Sequence, residues 1–286
     1  MTRHTSKPSA RRSMRQSKSQ TEEEAVKSRL EQLKKIFITR WVEVDNLFIH
    51  ARVNTEQAPD NVLPVVLVHG LGLSSTYLLP IAAELAHEHP VYAPDLPGFG
   101  LSAKPKRVLN VQQLGDALAA WIEATGLPQV ALLGNSFGCQ IIIECMARHP
   151  ELIACAILQG PTTSPSERSW FWQFVRWQQN SNPKPMGEIA RQDYRACGIY
   201  RLARTFQYSI RHRPEDILAQ IKIPVLVVRG SDDPICPSEW VDEIVHLLPG
   251  GKKVVIPDVQ HTLVWTAPSQ LAEVCRPFLA NATSLG

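Results

Sequence analysis

From residue 62 onward, short runs of β-branched and aliphatic residues alternate with longer amphipathic stretches. The runs fall at 62–68, 91–93, 130–133, 153–158, 223–228 and 253–256. A segment that is apolar at every position, rather than at every second one, predicts a strand covered on both faces. The stretches between them, at 75–87, 111–125, 137–149, 238–248 and 268–279, repeat apolar residues at helical spacing. Strand alternating with helix calls for crossover connections and parallel pairing. The prediction is an α/β fold, a mostly parallel doubly wound sheet.

Upstream, residues 36–53 alternate and break at Asp45-Asn46, the pattern of a β-hairpin. Thr21-Glu-Glu-Glu24 is a capping box that opens a helix over 21–36. Residues 161–220 interrupt the rhythm. They are rich in aromatics and arginine, carry Pro161, Pro165, Pro183, Pro185 and Pro214, and hold no strand-like run. The plan is therefore a disordered basic tail over 1–20, an N-terminal helix over 21–36, a core over 37–160 and 221–286, and a helical lid over 161–220.

Composition narrows the class. The chain has 286 residues, 44% of them apolar and 20% charged, ordinary values for a soluble globular protein. No apolar run approaches the roughly 18 residues of a membrane-spanning helix. The net charge of +3 is misleading, because residues 1–20 hold six of the 30 Lys and Arg and no carboxylate. The remainder carries 24 Lys and Arg against 27 Asp and Glu, so no nucleic-acid partner is expected. Six cysteines lack any Cys-x-x-Cys or zinc spacing and most lie in apolar runs. A reducing, cytoplasmic setting follows, with no metal and no cofactor. Assembly is expected as monomer or homodimer.

The candidate chemistry sits where runs end. Gly134-Asn-Ser136-Phe-Gly138 joins an apolar run to a helical stretch, as a nucleophile elbow requires: a tight turn raises the hydroxyl, and small residues flank it. His69-Gly-Leu-Gly72 follows the 62–68 run. An oxyanion needs two N–H donors, and Leu71 and Phe137 are the candidates. His69 reads as a brace for that loop and, with Trp170 and Trp265, as a wall of the substrate pocket. Asp95-Leu-Pro-Gly-Phe-Gly-Leu-Ser102 frames the same edge. A serine needs a base, and the base an orienting acid. Gly230-Ser-Asp-Asp-Pro supplies Asp232 or Asp233, and His261 follows the last run. His87, His89, His149, His212 and His246 fall on helices or the lid, which leaves His261 as the base. Open α/β sheets bind ligands at the carboxyl ends of their strands, where all three groups lie.

Together these motifs resemble the α/β-hydrolase superfamily over about residues 40–280. The resemblance implies a metal-independent serine hydrolase with Ser136 as nucleophile, His261 as base and, three residues after Gly230, Asp233 as acid. It implies cleavage of a carboxylic ester, lactone or thioester of a small apolar substrate through an acyl-enzyme. The Gly-Asn-Ser elbow is also similar to that of carbon–carbon-bond hydrolases acting on dienoates. Phe137 and Cys139 depart from their pattern, and only Arg191 and Arg195 stand in for their lid arginine. A non-catalytic ligand sensor on the same fold is the remaining alternative. Five aromatics between Trp170 and Trp177 are read either as packing against the sheet or as an apolar pocket.

Overall fold

The computed structural model describes residue 24 and residues 28–54, 62–180 and 184–283. The tail expected over 1–20 and the Thr21 cap lie outside them. The chain is helical at residue 24 and over 28–36 (α1). Eight strands form one sheet: β1 (Ile38–Val44), β2 (Leu47–Asn54), β3 (Val65–Val68), β4 (Val91–Pro94), β5 (Val130–Asn135), β6 (Ile153–Gln159), β7 (Val225–Gly230) and β8 (Gly251–Ile256). Their order is β1-β2-β4-β3-β5-β6-β7-β8, antiparallel from β1 to β4 and parallel from there on.

Local chemistry explains the boundaries. Asp45 and Asn46 both take positive φ, 49° and 61°, as the two-residue turn of a tight hairpin demands. β3 and β7 start at Val65 and Val225, not at 62 and 223, because Pro64 and Pro224 have no N–H to donate to a ladder.

Alternation along each strand feeds two separate cores. Val65, Leu67, Ala131, Leu133, Ile157 and Val228 pack beneath α2 (Leu79–Leu85) and α10 (Pro268–Thr283). Val66, Val68, Leu132, Leu158 and Val227 point the other way, under α3 (Val111–Ala124), α4 (Phe137–Arg148) and α8 (Ser238–Leu247). Each such side chain, fully withdrawn from water, contributes roughly 1.5–3 kcal/mol. The six cysteines are buried and form no disulfide.

Between β6 and β7 the chain runs through α5 (Trp170–Gln179), α6 (Lys184–Cys197) and α7 (Ile199–Arg211) without a strand. The insertion is pinned to α4. The Gln140 amide donates to Thr162 O (2.8 Å) and Ser209 O (3.2 Å), and His212 pairs with Glu144 at 2.7 Å, both nearly buried. His212 is thus an inter-element contact rather than a lid-surface residue. A short helix, α9 (Leu263–Thr266), precedes α10. No helix among the described residues is long and apolar enough to cross a membrane.

Candidate active site

β5 ends at Asn135 and α4 begins at Phe137, so Ser136 alone makes the turn, at φ 56° and ψ −120°. An L-residue there is strained by about 1–3 kcal/mol and persists only where its surroundings over-determine it. Here they do. Ser136 N–H donates to Gln159 O at 2.9 Å, and Cys139 N–H returns to Ser136 O at 3.0 Å. A Cβ on Gly138 would lie 2.4 Å from Val68 O, so only glycine lets α4 start against the end of β3.

The other two groups come from loops after β7 and β8. The Asp233 carboxylate is fully buried; Oδ1 accepts Ile235 N–H (2.8 Å) and Cys236 N–H (2.9 Å), and Oδ2 lies 2.8 Å from His261 Nδ1. A carboxylate at Nδ1 sets the proton there and leaves Nε2 as the acceptor in the neutral ring. Nε2 is buried with no hydrogen-bond partner, and His261 lines the same cavity as Ser136. Asp232 is exposed and accepts from Ser231 Oγ at 2.8 Å, a turn residue.

Leu71 and Phe137 line that cavity too. Phe137 is the first residue of α4, where an N–H has no partner within the helix and favours negative charge. His69 does not line it. Its Nδ1–H donates to Gly70 O (2.9 Å) and its Nε2 accepts Leu96 N–H (3.1 Å), so both nitrogens are spent tying two loops together. Burial pushes its pKa down, which keeps the ring neutral. The expectation of His69 as a pocket wall is corrected to a brace. Trp265 is corrected as well: it is half-buried against the α2/α10 core and absent from the cavity wall. Trp170 does line it.

The cavity holds about 440 Å³ between the strand ends and the insertion. Tyr77, Met186, Tyr194, Leu202 and Phe206 supply much of its wall, and no Asp, Glu, Lys or Arg takes part among the described residues. Arg191 is exposed and paired with Glu188, and Arg195 is exposed; neither reaches the cavity. No cluster of three potential metal ligands occurs among the described residues.

Two features escaped the sequence reading. The first is a buried chain of hydrogen bonds: Tyr77 O–H donates to Asn135 Oδ1, Asn135 Nδ2 to Gln159 Oε1 (2.5 Å), and Gln159 Nε2 to His261 O (2.9 Å). A single Gln closing the apolar run of β6 was its only trace. The second is the set of contacts by which Asp95 fixes the turn expected to frame this edge: its Oδ2 lies 2.8 Å from His50 Nδ1 and 2.9 Å from Leu101 N, and its Oδ1 lies 2.6 Å from Ser75 N. Burial opposes its charge, but the His50 imidazole and those N–H donors outweigh it and hold the pKa below the usual carboxylate range.

This chain is similar to Lipase 1 of Psychrobacter immobilis, 26% identical over 243 residues that cover 75% of this chain and 76% of that one. It is also similar to the pimeloyl-[acyl-carrier protein] methyl ester esterase of Neisseria meningitidis serogroup B, 27% identical over 248 residues, 77% of this chain and 94% of that one. A membrane phospholipase A of known structure shares the fold, with a TM-score of 0.76 at 24% identity, covering 92% of each chain. The model of the alpha/beta hydrolase family matches residues 65–274. That span runs from β3 into α10 and takes in Ser136, Asp95, Asp233 and His261, and the chain belongs to the alpha/beta hydrolase family.

Proposed function

We propose that the protein is a serine hydrolase that cleaves a carboxylic ester, lactone or thioester with a small, neutral, apolar acyl group. Ser136 Oγ attacks the carbonyl carbon while His261 Nε2 takes its proton. The Asp233 carboxylate holds the resulting imidazolium, and the N–H groups of Leu71 and Phe137 receive the oxyanion. Collapse expels the alcohol or thiol, which leaves with the proton from His261. Water activated by the same nitrogen then releases the acid and restores Ser136. No metal or cofactor has a part.

The observation that carries this reading is the 2.8 Å His261–Asp233 pair with its Nε2 unpartnered beside the cavity of Ser136. A buried acceptor without a donor costs about 1–3 kcal/mol, and a substrate-bound serine hydroxyl would satisfy it. The esterase and lipase named among the relatives support the same class. The dienoate alternative wants a cation for the substrate carboxylate, and the described residues of the cavity wall offer none.

A fluorophosphonate probe tests the proposal. One equivalent should attach at Ser136, located by peptide mass mapping, and none in Ser136→Ala or His261→Ala. Ester turnover should fall by roughly 10⁴–10⁶ in either variant. A folded wild-type protein that takes up no probe would instead point to the ligand-sensor alternative.

A further inference from the structure

Helix α5 is apolar on nearly every side and yet lies at the surface. Trp170, Phe171, Trp172, Phe174 and Trp177 are between 47 and 67% exposed, and the one buried residue of the helix is Gln173. The first turn of α7 extends the patch, with Ile199 82% and Tyr200 69% exposed. A helix of this make-up is ordinarily covered, and contiguous exposed apolar surface marks a contact site. The patch is also the rim of the cavity, because Trp170, Phe174, Trp177 and Ile199 belong to both.

Charge indicates what the contact is. Residues 161–220 carry nine Lys and Arg against five Asp and Glu, whereas the rest of the chain after residue 20 carries 15 against 22. The five acids of the insertion are engaged. Glu167 pairs with Arg176, Glu215 with Arg168 and Asp216 with Arg213. Glu188 pairs with Arg191, and Asp193 is half-buried beside Ser74. Arg195, Arg201, Arg204 and Arg211 have no carboxylate partner among the described residues. A basic, aromatic-rimmed insertion thus stands on an acidic body.

We propose that the α5–α7 face docks on an anionic lipid–water interface, so that an acyl chain passes from that phase over the rim into the cavity. Trp and Phe side chains settle at the headgroup level while arginines meet anionic headgroups. The passage of substrate rests on the hydrolase reading; the docking does not.

The test is flotation of the full-length protein with phosphatidylcholine vesicles containing roughly a third phosphatidylglycerol, and with phosphatidylcholine alone. Wild type should float with the anionic vesicles, shift its tryptophan emission to the blue, and release as salt is raised. Phe171 and Trp172 do not line the cavity, so a Phe171→Ser/Trp172→Ser variant should bind at least tenfold more weakly while hydrolysing a short soluble ester at the wild-type rate. No flotation of wild type overturns the proposal. Undiminished flotation of the double variant also overturns it and transfers the anchoring to the basic residues of 1–20. A dimer that the double variant abolishes, without flotation, assigns the face to a second copy and overturns it as well. Flotation is read without turnover, so a failed hydrolase assignment leaves this outcome legible.

Discussion

Gln159 shows how a residue remote from the reaction can set its geometry. The His261 carbonyl can only accept, so the Gln159 Nε2 must face it and Oε1 must face Asn135 Nδ2. The Asn135 oxygen is then left for the Tyr77 hydroxyl, and the whole chain has one possible direction. It ties the histidine loop to the residue just before Ser136. Gly160, next in sequence, completes the seat: a Cβ there would lie 2.9 Å from the His261 ring, and its φ of +58° suits glycine. Gln159→Met keeps the side-chain length and strands His261 O and Asn135 Nδ2, which should cost about 2–4 kcal/mol in urea unfolding. If the chain positions the base, fluorophosphonate labelling of Ser136 should also slow about tenfold or more. A purely structural role would lower stability and leave the labelling rate unchanged. Ser136 and Asp233 can be singled out as candidates because each sits in a local motif with a fixed offset. Gln159 cannot, since its partner is 102 residues away and no local pattern encodes such a bond.

Helix α6 presents a different problem, a charge held where water is scarce. Asp193 lies beside Ser74, near Asp95 and Arg52, and its Oδ2 is buried without a partner among the described residues. Burial pushes its pKa up to about 6 and Asp95 adds to this, while Ser74 and Arg52 pull it back. An acid with a folded pKa above its unfolded value binds more protons in the folded state between the two. Stability from this group is therefore gained as pH falls from about 6 to about 4, lost over the same window as pH rises, and flat above it. The effect is on the order of 2 kcal/mol. Asp193→Asn retains an acceptor and removes the ionisation. Its urea stability should exceed wild type by about 1–2 kcal/mol at pH 7.5 and converge with it near pH 4.5. A deficit at both pH values would mean that the charge itself holds α6. The core elements were legible because burial on both faces writes continuous apolar runs. In the insertion, the lack of a strand-like run points to helices but says nothing of what surrounds them. Trp170, Phe174 and Trp177 of α5 do line the cavity, as one of the two expectations for them has it, yet all five aromatics stay about half in water.

At the scale of the whole molecule, substrate choice depends on two parts of the chain meeting. The sheet edge lines the cavity with Ser136, His261, Leu71 and Phe137, the residues of the proposed chemistry; the insertion contributes the far wall, from Trp170 to Ser209. Among the described residues neither part places a formal charge on the cavity, although eight arginines lie in the insertion. Their guanidinium groups are spent on ion pairs, on Pro105 O, on Gln207 and Tyr208, or stand outward. An acyl chain ending in a carboxylate would lose its hydration there with nothing in return, a penalty of several kcal/mol. A neutral hexanoate ester should therefore exceed the mono-ester of a dicarboxylic acid of equal length by at least about 100-fold in kcat/KM, equivalent to about 3 kcal/mol. The comparison is made with one leaving group at constant ionic strength, so the chain terminus is the only variable. Equal or faster turnover of the charged ester would require an arginine to swing into the cavity on binding. That result would revive the dienoate reading, with Arg191 and Arg195 the first side chains to replace.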